Sequence, residues 1–95
     1  MPNSRLVFRL HAVQRMFERS ISDVDVRKVL VDGVMIEDYP DDQPYPSFLV
    51  LAWVNGRPLH VVAADNDADH ETIIITVYEP DADKWQDEFR QRRHT

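Results

Sequence analysis

The stretch Ser47-Phe-Leu-Val-Leu-Ala-Trp-Val54, then Asn55-Gly56, then Arg57-Pro-Leu-His-Val-Val-Ala-Ala64 decides the fold of this chain. Two apolar runs flank an Asn-Gly pair, the strongest short-range hairpin signal, because both central residues of a type I′ turn need positive φ. A two-residue turn also fixes the register: Val54 faces Arg57, and Leu51 faces His60. Side chains alternate along a strand, so Arg57 and His60 then point to opposite faces of the sheet. Bringing both to one site needs a bulge near Pro58 or an arginine that reaches round the edge.

On the C-terminal side of the hairpin, residues 65–71 read as a polar, acidic loop, and residues 72–78 as a β-branched strand inside the sheet. Residues 81–92 suit a terminal helix, with Trp85 and Phe89 at i and i+4 and acids early, bases late. On the N-terminal side, residues 34–39 fit a strand, followed by a loop with Pro40, Pro44 and Pro46. Ser22-Asp23-Val24-Asp25 reads as a capped helix start, with Val26, Val29 and Leu30 as the buried stripe and Gly33 as the stop. Residues 11–19 read as a helix of about two and a half turns in which Ala12, Val13, Met16 and Phe17 share one arc. Residues 5–10 suit a short strand. The expected order is β-α-α-β-β-β-α in one domain, residues 1–95. Its class is α+β, an antiparallel sheet of three or four strands with two N-terminal helices and one C-terminal helix.

Composition narrows the function classes. The chain of 95 residues has no cysteine, which excludes disulfides, thiolate zinc sites and thiol nucleophiles. It has neither an apolar run of about 18 residues nor a signal peptide, so a cytoplasmic protein without a membrane role is expected. The 17 acidic and 11 basic side chains give a net charge of −6, unevenly spread. Residues 1–31 carry six basic and three acidic groups, residues 32–83 one basic and twelve acidic, and residues 84–95 four basic and two acidic. Nucleic-acid binders show a basic excess, so this distribution argues against extended, tight polyanion binding and leaves room for a local phosphate site.

With structural residues set aside, His11, Arg15, Arg19, Arg57, His60 and Tyr78 remain as candidates for chemistry. His11, Arg15 and Arg19 are spaced four apart, so on a helix they form one ridge of an imidazole and two guanidiniums. Guanidinium binds phosphate in a bidentate fork. The structural alternative is a solvated face pairing with Glu18 or Asp23. His60 stands in an apolar strand, where an imidazole must find a partner or meet solvent at a site. Tyr78 ends the last strand, where it can donate a hydrogen bond or simply pack with a wet hydroxyl. Trp85 reads as core. No metal site is expected: the histidines at 11, 60, 70 and 94 lack HxH or HxxxH spacing. The run Asp65-Asn66-Asp67-Ala68-Asp69 lacks the glycine a calcium loop needs at its sixth position, where His70 stands.

Four blocks in order carry a resemblance: His11-Ala12-x-x-Arg15-Met16-x-x-Arg19, Ile21-Ser22-x-x-Asp25-Val26, Arg57-Pro58-Leu59-His60-Val61, and Thr76-Val77-Tyr78-Glu79-Pro80 with Trp85. Together they resemble the domain-of-unknown-function family numbered 4258, which is similar to the RelE and BrnT type of small ribonuclease toxin. One departure is Ser20, where the family pattern has glycine. The resemblance implies a RelE/BrnT-like fold, an antitoxin protein as partner, and RNA or the ribosome as target. It implies metal-independent RNA cleavage without a cofactor, with His11 and His60 in the proton transfers and Arg15 and Arg57 on the phosphate. Arg19 would serve substrate or structure, and Tyr78 a supporting hydrogen bond. Two other readings stand beside it: a non-catalytic protein-interaction domain using the His11/Arg15/Arg19 ridge, and a homodimer through the edge strand 34–39.

Overall fold

Asn55 and Gly56 take φ of 54° and 77°, and the turn they make joins two long strands. The computed structural model describes residues 5–93. In it β3 (Ser47–Val54) and β4 (Arg57–Asn66) pair antiparallel, with Val54 opposite Arg57 and Leu51 opposite His60, as the turn requires. On the far side of β4 lies antiparallel β5 (Glu71–Tyr78), which sets Tyr78 opposite His60. Thr76 pairs with Val62 and Ile74 with Ala63, leaving Ile75 as an extra, bulged residue. β2 (Val34–Tyr39) pairs antiparallel with β3 and carries its own irregularity at Ile36.

The sheet differs from the expected antiparallel one of three or four strands. β1 (Arg5–Phe8) runs parallel to β5, giving a mixed five-stranded sheet in the order β1-β5-β4-β3-β2. A parallel pair needs a long crossover, and here everything from residue 9 to residue 70 supplies it. The acidic segment 65–71 is also more ordered than a loop: Asp65 and Asn66 extend β4, and Asp67–Asp69 form one 3₁₀ turn.

Two helices cover one face of the sheet: α1 (Leu10–Arg19) over β5, and α2 (Asp23–Asp32) over β3 and β4. The start of α2 is a full capping box. The Ser22 hydroxyl accepts from the Asp25 N–H at 3.1 Å, and the Asp25 carboxylate accepts from the Ser22 N–H at 3.0 Å. Gly33 ends α2 for a reason of space, since its backbone is extended. A Cβ there would lie 2.3 Å from the Val29 carbonyl oxygen and 2.5 Å from a Val50 methyl. The core on this face joins Ala12, Val26 and Val29 to Val50, Leu59, Val61, Ile74 and Val77. α1 is turned away from its expected orientation: Ala12 and Met16 face the sheet, whereas Val13 and Phe17 face solvent.

The expected C-terminal helix is absent. Residues 85–92 form a small hairpin, β6 (Trp85–Gln86) and β7 (Gln91–Arg92), whose turn holds Asp87, Glu88 and Phe89 at φ of 53°, 56° and 71°. Three successive left-handed residues cannot continue a right-handed helix. The spacing of Trp85 and Phe89 satisfies a tight hairpin equally well: both rings lie on the sheet face opposite the helices, against His60 and Trp53. Among the described residues no helix is long and apolar enough to cross a membrane.

Candidate functional site

Alternation along β4 decides where the candidate groups stand. Leu59 and Val61 belong to the core under the helices, so His60 between them points to the other face. There it is fully buried, and both ring nitrogens are engaged. Nε2 lies 2.8 Å from the Phe89 carbonyl oxygen and Nδ1 lies 3.1 Å from the Tyr78 hydroxyl. A carbonyl only accepts, so Nε2 carries the proton; burial disfavours a second proton on the ring, which leaves Nδ1 to accept from the Tyr78 hydroxyl. The imidazole is therefore neutral in this arrangement. Trp85 stands edge-on to it, with ring centroids 4.4 Å apart and planes at 87°.

Three more polar groups complete the cluster. Glu37 and Tyr39 are two apart on β2 and share the face of His60, and the Tyr39 hydroxyl donates to the Glu37 carboxylate. Arg92 on β7 grips that carboxylate, Nε to Oε2 at 2.9 Å and Nη2 to Oε1 at 3.1 Å, while its guanidinium lies 4.8 Å above the Trp85 ring.

The fold moves the proton affinity of all five groups in this cluster. Burial lowers His60 below the usual imidazole range, partly offset by the bond to the Phe89 carbonyl. Tyr78 is raised by burial, and Tyr39 is raised by burial and by its bond to Glu37. Burial pushes Glu37 up, but the bonds from Arg92 and Tyr39 outweigh it and leave the carboxyl below its ordinary value. Arg92 is raised, chiefly by its bond to Glu37.

The other sequence candidates lie elsewhere. His11 and Arg19 are exposed on α1 and Arg15 is half-buried there, across the sheet from His60. The single pocket shared by helix ridge and sheet imidazole is thus not formed; strand alternation separates its two halves. Arg57 points to the helix side, where it donates to the Ser20 carbonyl at 3.3 Å and to the Arg19 carbonyl, with Glu79 3.3 Å from its Nε. It closes the C-terminal end of α1, where four carbonyls lack helical partners. Of the expected set, His60 and Tyr78 meet side chain to side chain, and Arg57 meets Arg19 only at its backbone carbonyl. His94 lies outside the described residues. Sequence reasoning missed Glu37, Tyr39 and Arg92, although a carboxylate and a phenol on one face of a short strand were a usable signal.

The sequence matches the family described as Domain of unknown function (DUF4258) over residues 8–79, which spans every residue of the cluster except those of the hairpin 85–92. Neither a curated protein nor a solved structure matches it.

Proposed function

We propose, from the premise that the chain belongs to the DUF4258 family, that it is a small endoribonuclease of toxin type whose chemistry lies on the sheet face of His60. The observation that carries this reading is the gathering of imidazole, two phenols, guanidinium and carboxylate at one place, all with shifted proton affinities. Perturbed groups with named partners cluster at functional sites. The strand-helix-helix-sheet order supports a RelE/BrnT-like arrangement, with a hairpin in place of the last helix.

The closed hairpin keeps substrate from His60, so Trp85, Phe89 and Arg92 must lift before RNA enters. With the imidazole proton moved to Nδ1 and shared with the Tyr78 oxygen, Nε2 becomes a base. It takes the ribose 2′-hydroxyl proton as that oxygen attacks phosphorus. The leaving 5′-oxygen takes the Tyr78 proton, which the imidazolium replaces through Nδ1. The products are a 2′,3′-cyclic phosphate and a 5′-hydroxyl, so the protons balance. Arg92, released from Glu37, supplies a guanidinium for the phosphoryl oxygens.

The test is purified full chain with RNA in excess chelator. Cleavage leaving cyclic phosphates is expected, reduced about 10²–10⁴-fold by His60→Gln and unchanged by Arg15→Ala. Intact RNA with both the natural chain and a Glu37→Gln variant whose hairpin is loosened would overturn the reading.

A further inference from the structure

Trp53 breaks the burial of the sheet face that carries His60. Leu49 and Leu51, which precede it on that face of β3, are buried, whereas Trp53 is 49% exposed. Leu51 stands opposite His60, so Trp53, two residues on, is the diagonal neighbour of the imidazole, at a backbone separation of roughly 7–8 Å. Trp53 belongs to the long β3–β4 hairpin, next to the Asn55-Gly56 turn, so it stays with the sheet when segment 85–92 lifts. Trp85, the other indole, leaves with that segment.

One residue of the covering hairpin engages both groups. The Phe89 ring lies against Trp53, with centroids 5.8 Å apart and planes at 60°, and its carbonyl oxygen accepts from His60 Nε2 at 2.8 Å. Whatever displaces Phe89 has to offer a flat ring and a polar oxygen from a single unit of its chain. A nucleotide does so, because its base and its 2′-hydroxyl sit on one sugar. Unpaired bases of single-stranded nucleic acid are bound by stacking on aromatic side chains. We propose that Trp53 is the platform for one base of single-stranded RNA. The base replaces the Phe89 ring, and the 2′-hydroxyl of the same nucleotide replaces the Phe89 carbonyl at His60 Nε2. This role presupposes the ribonuclease chemistry at His60, and it makes Phe89 an internal competitor of the substrate.

A fluorescein-labelled 2′-fluoro oligonucleotide of about eight nucleotides, which lacks the attacking hydroxyl, tests it by anisotropy against the full chain. The natural chain is expected to bind this probe at least about fivefold more tightly than an abasic oligonucleotide of the same length, a comparison that needs no variant. Trp53→Leu is expected to erase that difference. Phe89→Gly, at a left-handed position that glycine suits, is expected to tighten the base-bearing probe by freeing Trp53. Equal affinity for the two probes, binding of neither, or a preference that survives Trp53→Leu in a chain folded by circular dichroism overturns the proposal. So does displacement of the oligonucleotide by an acetylated and amidated Gly-Phe-Gly peptide, which would make the occupant a protein segment. RNA cleavage with a KM untouched by Trp53→Leu removes the Trp53 role alone. Base-dependent binding without cleavage of the matching RNA removes the ribonuclease reading and keeps the platform.

Discussion

Arg92 and Glu37, 55 positions apart in sequence, form a forked ion pair that ties the C-terminal hairpin to the edge strand β2. The Arg92 side chain is 60% exposed, so water and salt weaken the pair. Its worth lies in location: it holds shut the segment that covers His60.

Glu37→Gln keeps the shape of that contact and removes its charge. Global stability should fall by no more than about 1 kcal/mol, as for an exposed pair. Amide exchange in residues 85–92 should nevertheless quicken markedly, with a red shift in tryptophan emission as Trp85 leaves the imidazole. Unchanged exchange in residues 85–92 would show that the ion pair does not latch the hairpin.

The depressed affinity of His60 makes folding pH-dependent with a definite sign. Above its ordinary value of 6.5 the ring is neutral folded or unfolded, and its stabilisation is complete. As pH falls below 6.5 the unfolded chain takes up a proton that the folded chain resists, so stability is lost progressively down through the folded value. Glu37, also depressed, adds a second loss as pH drops below its ordinary 4.5. Urea midpoints between pH 7 and pH 5 should therefore decline, and His60→Gln should flatten that decline.

Ser20 and Gly33 predict opposite signs for a single methyl-scale change. Ser20 sits at φ 56°, ψ 47°, a left-handed cap that costs a residue with Cβ. Ser20→Gly should stabilise by about 0.5–1 kcal/mol. Gly33→Ala should destabilise by about 1–3 kcal/mol, because Val29, Val50 and Leu51 leave no room for its Cβ. Thermal melts of the two variants, shifted in opposite directions, would check both.

Arg57 binds backbone and not substrate in this arrangement, which separates stability from activity. Arg57→Ala should cost about 1 kcal/mol of stability by freeing the last carbonyls of α1. RNA cleavage per folded molecule should be unchanged. Arg57→Lys should recover only part of the stability, since one ammonium cannot fork between two carbonyls as a guanidinium does.

What the sequence disclosed was local. Asn55-Gly56 announced both the turn and the register because a two-residue loop leaves no freedom, and Ser22 with Asp25 announced the start of α2. Those signals lie within a few residues of what they specify. The parallel β1–β5 pair joins Arg5 to Glu71, and no neighbouring residue encodes it. Which half of the α1 apolar arc is buried was likewise a tertiary matter, since Val13 and Phe17 are as apolar as Ala12 and Met16. The hairpin at residues 85–92 was hidden because aromatic residues four apart also suit a helix. For the site, residue chemistry pointed to His60 and Tyr78. Glu37, Tyr39 and Arg92 became partners only through the sheet order and the returning hairpin.

The parallel pairing of β1 with β5 also orders events during synthesis. Of the five strands in this sheet, β1 is made before the others and its hydrogen-bonding neighbour β5 is made last. The β3–β4 hairpin is complete while β1 still waits, and closing a loop of that length is slow next to a two-residue turn. A chain from which β5 has yet to emerge can form the hairpin and the two helices, but it leaves β1 unpaired and open to chaperones.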